Sequence, residues 1–247
     1  MHLFLGCKKE PKETITKNSN TTGAGSTNIL PNGNGPDTCD AVLQITKGYY
    51  KTTSSFQPSN INNCLAYLCA QPIINDIAYN RLDMGEVSLN GKVFKSFYSS
   101  LNYYYNDTTY SSYSTPYIWN ISGSVNIDTQ IDTCTTQFPV YSGTSYLPDS
   151  ISKSQGITIT INNLSNCDFY RITLVGPSGS QYLAPKMYPG NATSISFVPN
   201  ELMGMTTGST GLMLITFYKD NVKNIASKNL NFRLGVSYSI YNFKITA

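Results

Sequence analysis

Apolar and polar residues alternate with a period of two through most of this chain. Ile157, Ile159 and Ile161 alternate with Thr158 and Thr160, which puts one apolar face on a half-buried strand. Phe169–Val175 is a second strand, ended by Gly176-Pro177-Ser178-Gly179. Gln181–Leu183, Ser194–Val198, Leu212–Tyr218 and Val222–Ala226 continue the series, with Asp220-Asn221 as a tight turn. The last run alternates Phe232, Leu234, Val236, Tyr238 and Ile240, then shifts phase to Phe243 and Ile245. That shift predicts a bulge or a new strand. About seven strands in this stretch match the spacing of an immunoglobulin-like sandwich, in architecture only, because the Cys…Trp…Cys pattern is missing.

Upstream, Ala41–Ile45 is a short strand, and Val87, Leu89, Val93 and Phe97 flank Asn90-Gly91. Asn-Gly between alternating runs predicts a type I′ hairpin. Tyr103–Tyr105, Tyr117–Ile121, Val125–Ile127 and Phe138–Tyr141 are further β-prone runs. One segment departs from this period. Ile61, Cys64, Leu65, Leu68 and Cys69 fall at helical spacing, with Ser59 or Asn60 as N-cap and Pro72 as terminator. On such a helix Cys64 and Cys69 share a face but stand more than ~7 Å apart, too far to pair with each other. Residues 142–155 are turn-rich and mark a boundary. The expected fold is all-β: two antiparallel sandwich halves (Ig-like), with at most one short helix, behind a disordered tether. A β-rich domain over 37–148 precedes an Ig-like sandwich over 149–247.

Residues 8–36 are Lys, Thr, Asn, Ser, Gly and Pro with almost no apolar content. Such a stretch cannot bury enough surface to offset its ordering entropy, so a flexible tether is expected. Before it stands Leu3-Phe4-Leu5-Gly6-Cys7, which resembles a bacterial lipobox. The resemblance implies cleavage after residues 1–6, a residual signal segment, and lipid on Cys7. Stable anchoring takes two or more chains, which bacterial lipoproteins carry. No Lys or Arg precedes Cys7, so the expectation is a start further upstream or a truncated signal. Lys8, Lys9, Glu10, Lys12 and Glu13 resemble the Lys-acidic signals that route Bacteroidetes-type lipoproteins to the outer face of the outer membrane; a solvated charged tether is the alternative.

Charge narrows the function classes. Charged residues make up only 13% of the chain, against about 25% in average domains. Of the net +3, the four Lys and two Glu of residues 8–36 account for +2, which leaves the body at +1. A nearly neutral body without a basic run gives no footprint for nucleic acid. The sole histidine is His2, which excludes Ser-His-Asp and Cys-His catalysis and His-dependent zinc sites from the body. Five cysteines follow Cys7: Cys39, Cys64, Cys69, Cys134 and Cys167. An odd number leaves at least one unpaired within the chain, and no C-x-x-C pair suggests zinc. Asn126, Asp128 and Asp132 supply oxygen ligands for calcium without the EF-hand pattern. Solvated loop acids are the better reading, and no cofactor is expected.

Gly85–Gly91, Trp119-Asn120-Ile121-Ser122-Gly123 and Leu147-Pro148-Asp149-Ser150 through Ile161 resemble Bacteroidetes-type outer-membrane lipoproteins with β-sandwich domains. The likeness covers most of 80–247. It implies a fold and a location, and it transfers no catalytic residue. Asp107-Thr108-Thr109 and Asp149-Ser150-Ile151 resemble O-glycosylation sites of such exported proteins, a match that chance also supplies in a chain this rich in Ser and Thr.

The candidate binding chemistry is aromatic. Tyr98, Tyr103, Tyr104, Tyr105, Tyr110, Tyr113, Tyr117 and Trp119 are concentrated in one stretch. Exposed rings stack on sugars and offer a polar handle; strand packing is the alternative use of the same residues. Tyr103, Tyr104, Tyr105, Tyr117 and Trp119 are the candidate ligand-binding residues. Asp128 with Asp132, or Asp83 with Glu86, would supply a glycosidase pair by count, but nothing sets the ~5–9.5 Å separation that such chemistry needs. The expectation is therefore a non-enzymatic cell-surface lipoprotein of the outer membrane. Its partners are the membrane, through lipid on Cys7, and polysaccharide or another surface protein. An adhesion or surface-assembly subunit is the second reading and a glycoside hydrolase the third. A ribbon of exposed Tyr and Trp favours the first; an open apolar groove, or an unprotected strand at 229–245, favours the second.

Overall fold

The structure is a computed structural model that describes residues 39–52, 55–59, 62–69, 81–97, 102–107, 115–177, 182–225 and 227–247. The tether 8–36 and Cys7 lie outside these residues. The first strands are β1 (Ala41–Lys51), β2 (Phe56–Pro58), β3 (Asn62–Cys69), β4 (Arg81–Leu82), β5 (Val87–Leu89), β6 (Lys92–Val93), β7 (Lys95–Phe97), β8 (Asn102–Asp107), β9 (Tyr117–Ile121) and β10 (Gln130–Cys134). Then come β11 (Val140–Tyr141), β12 (Ser150–Ser152), β13 (Ile157–Thr160), β14 (Leu164–Ser165), β15 (Phe169–Val175), β16 (Tyr182–Pro189), β17 (Ser194–Phe197), β18 (Gly208–Lys219), β19 (Val222–Ile225) and β20 (Lys228–Thr246). Among the described residues the α-helix is one short turn, α1 (Pro199–Leu202). The all-β, sandwich-like class holds.

The C-terminal strand organises the molecule. β20 pairs with β18 on one side and β1 on the other, in a twelve-stranded sheet of order β16-β15-β18-β20-β1-β3-β8-β7. Pairing is antiparallel except at β20, which runs parallel to β1 from Ala41↔Leu230 to Tyr50↔Ser239 and parallel to β12. The first described strand is thus hydrogen-bonded to the last. Strand 229–245 is flanked on both sides rather than open.

Alternation along β20 aims its even-numbered residues at one side of the sheet, where two cores lie side by side. Leu230, Phe232 and Leu234 enter the first core with Leu43, Ile45, Cys64 and Leu68. Val236, Tyr238 and Ile240 enter the second with Tyr170, Ile172, Met213, Ile215 and Phe217. A four-stranded sheet, β10-β9-β5-β6, supplies the second layer over the first core through Val87, Leu89, Trp119 and Ile121. The pairs β13–β17 and β11–β14 cover the second through Ile159, Ile195, Phe197 and Tyr141. The two sandwiches therefore share one sheet. Phe138 packs against both cores, and Lys47 Nζ lies 4.0 Å from its ring centre.

Two local expectations hold for physical reasons. Asn90 (φ 50°) and Gly91 (φ 78°) both take positive φ, as a type I′ turn requires, and join β5 to β6 at Leu89↔Lys92. The phase shift in β20 is absorbed at Asn242 (φ 57°) and by register shifts on either side of Gly211 in β18. A Cβ on Gly211 would lie 2.8 Å from the Phe243 carbonyl oxygen. Phe243 and Ile245 thereby return to the core in one unbroken strand.

The helix expected over 61–69 is a correction: residues 62–69 are β3, and Ile61 lies outside the described residues. Cys64, Ala66 and Leu68 enter the first core, while Leu65, Tyr67 and Cys69 pack on the other face with Cys39 and Val42. A strand apolar on both faces satisfies helical spacing by coincidence, and the ladder to β1 decides the conformation. Cys64 and Cys69 therefore face opposite sides. The helical turn falls instead at Pro199, suited to a first turn because its missing N–H needs no partner there. All five cysteines of the described residues are thiols.

Candidate functional site

The structure takes Tyr117 and Trp119 out of the solvent. β9 points Tyr117, Trp119 and Ile121 inward and Ile118 and Asn120 outward. Both aromatic residues are 2% exposed. Trp119 meets the Phe94 ring edge-on at 5.6 Å and Tyr117 meets Phe138 at 5.8 Å. Burial, and then Cys134, push the Tyr117 phenol up to about 12. Neither ring has a face left for a ligand. Tyr103, Tyr104 and Tyr105 lie on β8, paired with Ala66, Leu65 and Cys64; their side chains are outside the described residues, as are Tyr98, Tyr110 and Tyr113.

Two of the acids considered by count, Asp132 and Asp83, have structural partners, while Asp128 and Glu86 are exposed. Asp132 pairs with Lys223 at 2.8 Å, and Asp83 Oδ1 accepts from the Gly85 N–H. Asn126 donates to the Asp83 carbonyl and caps its own turn through Ser124. Among the described residues no three His, Cys, Asp or Glu side chains come together as a metal site.

The aromatic rings with access to a cavity belong to other residues. β1 continues past the core, and β2 folds back on it at Tyr49↔Pro58, Tyr50↔Gln57 and Lys51↔Phe56. The parallel ladder sets Tyr49 opposite Tyr238, and their rings stack at 5.1 Å with planes 15° apart. Phe56 meets Tyr238 edge-on at 5.2 Å. Tyr238 OH donates to the Tyr141 carbonyl; burial, and then Tyr49, push that phenol up to about 12. These rings line a cleft of about 600 Å³ whose other wall is Thr144, Ser145 and Asp149. At its rim Lys51 Nζ pairs with Asp149 and also donates to the Leu147 carbonyl at 3.4 Å. The cleft thus offers aromatic surface, hydroxyls and one fixed ion pair, the composition of a small-ligand site. It supplies stacking and hydrogen bonding.

Sequence reasoning passed over Tyr49 and Phe56. The available signal was Gly48-Tyr49-Tyr50 continuing the Ala41–Ile45 strand, then Thr52–Ser55 as a turn and Phe56 as a returning strand. No family model matches the chain, and no curated protein matches it.

Proposed function

We propose that this chain is a cell-surface lipoprotein, held at a bacterial outer membrane by lipid on Cys7, whose body binds carbohydrate without catalysing a reaction. The observation that carries the binding role is the cleft walled by Tyr49, Phe56 and Tyr238, with the Thr144 and Ser145 hydroxyls and the Lys51–Asp149 pair beside the rings. A pyranose has an apolar face for the rings and a polar edge for hydroxyls, and this lining matches both. The low charge of the body agrees with a ligand recognised by hydrogen bonds and stacking. No helix among the described residues is long and apolar enough to cross a membrane, so lipid on Cys7 is the anchor in this reading.

The test is retention of the full chain on a panel of immobilised polysaccharides, beside Tyr49→Ala and Phe56→Ala. Selective retention lost in both variants, with the thermal unfolding midpoint lowered only modestly, is the expected result. Retention that survives both substitutions rejects the cleft as the site.

A surface-assembly subunit is the second reading, and the outer face of the small sheet favours it. Ile131 on β10 is 72% exposed there, with Ile118 on the adjacent β9 and Val93 on β6 at the other edge of the sheet. Exposed apolar groups gathered on one face suit a protein partner. Exchange of strand 229–245 between subunits is not part of this reading, because β20 already has neighbours on both sides.

A further inference from the structure

The strands set an order along the aromatic cleft. Tyr49 and Lys51 are two residues apart on β1 and both line the cleft, so alternation puts them on one face, about 7 Å apart. β2 brings Phe56 opposite Lys51. A sugar ring lying on the aromatic surface therefore has the Lys51–Asp149 pair at its edge.

The two members of that pair meet solvent unequally. The Lys51 side chain is 16% exposed and that of Asp149 67%. Lys51 Nζ donates to Asp149 Oδ1 and to the Leu147 carbonyl. Asp149 is held through its main chain as well, because its carbonyl accepts from the Lys244 N–H at 2.9 Å. Leu147, two residues earlier, is buried in the second core. The carboxylate is thus a fixed acceptor that is open to a ligand. Lys51 and Asp149 are the charged members of the described lining, so its formal charge is zero.

We infer that Asp149 determines the specificity of the cleft, and that the ligand class is a neutral sugar with neighbouring free hydroxyls. This rests on the carbohydrate reading of the cleft. A carboxylate accepts two O–H donors at once, and each such bond is charge-assisted. A vicinal diol supplies both donors at the edge of a ring whose apolar face lies on Tyr49 or Phe56. The more exposed member of the ion pair is the negative one, so a uronate or a sulfate ester meets like charge first. An amino sugar meets a carboxylate that Lys51 already neutralises.

The test measures the affinity of the full chain for mannan, dextran and galactan, for polygalacturonate and for chitosan. It adds the O-methylated form of whichever neutral polymer binds best, which keeps the sugar rings but lacks their hydroxyl donors. The variants are Asp149→Ala, Asp149→Asn and Phe56→Ala. Tyr241→Ala, at an exposed ring outside the cleft, is the control. The expected result is tighter binding of a neutral polymer than of polygalacturonate or chitosan, lost on O-methylation. Asp149→Ala lowers that affinity about tenfold or more, the worth of a charge-assisted hydrogen bond. Asp149→Asn, which keeps an amide oxygen, loses less. Phe56→Ala abolishes binding, and Tyr241→Ala leaves it unchanged. Polygalacturonate, chitosan or the O-methylated polymer bound as tightly as the neutral one overturns the inference. Affinity unaltered in Asp149→Ala but lost in Phe56→Ala also overturns it, and leaves the cleft reading standing. Binding that survives Phe56→Ala, or no binding of any polymer, rejects the cleft reading and the inference with it. Loss in Tyr241→Ala alone would place the ligand outside the cleft and reject both.

Discussion

Tyr49 and Tyr238 come from opposite ends of the folded body and stack on one another at 5.1 Å, because β1 and β20 run parallel and in register at that point. The stack serves two purposes. Tyr238 is 6% exposed and belongs to the second core, whereas Tyr49 is half-buried and lines the cleft. Substitutions should therefore separate stability from binding. Tyr238→Phe keeps the ring but loses the hydroxyl bond to the Tyr141 carbonyl, a change of about 1 kcal/mol, and should leave retention on polysaccharide intact. Tyr49→Ala should abolish retention while the unfolding midpoint falls only modestly. Chemical denaturation of both variants beside the retention assay checks this; loss of retention in Tyr238→Phe would mean that the Tyr238 hydroxyl, and not the stacked rings alone, is needed for binding.

Trp119 is a core residue, and its substitution should behave as one. Its ring is packed between the small sheet and the first core, against Phe94. Trp119→Ala should destabilise the fold by about 3–5 kcal/mol, the usual cost of emptying such a site. The chain has a single tryptophan, so its fluorescence reports this burial directly. Emission should be blue-shifted in the native state and move to longer wavelength on unfolding. A native spectrum already at the solvent-exposed wavelength would contradict the burial.

Much of the fold was legible in residue patterns, for reasons that also explain what was not. Strands buried on one face announce themselves by alternation, as Ile157–Ile161 and Phe232–Ile240 do. Asn90-Gly91 declares its turn because few residues tolerate positive φ in succession. β3 has no such signature, because Leu65, Tyr67 and Cys69 are covered on the face opposite Cys64, Ala66 and Leu68. Alternation disappears when both faces are apolar. The parallel pairing of β1 with β20 joins residues about 190 positions apart and leaves no local trace. The burial of Tyr117 and Trp119, two of the candidate residues, was hidden for a related cause. Aromatic density drew attention to 103–119, but whether a ring is inside or outside depends on which face a second layer covers. Tyr49 and Phe56 acquired a cleft only through contact with Tyr238 and the 144–149 turn.

A buried ion pair on the outer side of the same sheet supplies a stability test. Arg233 is fully buried between the Phe169 and Tyr218 rings, at 5.1 and 5.2 Å, and its guanidinium takes Asp220 at 2.8 and 3.2 Å. Asp220→Asn removes the carboxylate charge that the buried Arg233 guanidinium holds by two hydrogen bonds, and breaking a buried pair costs about 3–5 kcal/mol. Asp149→Asn breaks the Lys51 pair at an exposed carboxylate, where such pairs are worth about 0–1 kcal/mol. Denaturant midpoints of the two variants should therefore differ widely although each loses one ion pair. Equal midpoints would show that the Arg233 site is solvated.

The turn at α1 should make stability depend on pH in acid. Burial pushes the Glu201 carboxyl up, but hydrogen bonds from Lys186 Nζ at 2.6 Å and the Val198 N–H at 2.9 Å, with the Lys186 charge, push it down further. Its net position is below the ordinary carboxylate value. A group lowered in this way stabilises the fold above its unfolded value, about 4.3, and that contribution is lost as the pH falls through the lower folded value. Lys186 itself is buried, with its ammonium over the Phe197 ring and bonded to the Ser196 carbonyl, so it holds the carboxylate in place. Glu201→Gln should be less stable than the parent at pH 7. The difference should narrow as the pH is lowered below about 4, because the protonated parent then loses the same ionic bond. Denaturant titrations at a series of pH values measure the gap directly; a gap that stays constant down to the acid limit would mean that Glu201 acts through shape and neutral hydrogen bonding, not through its charge.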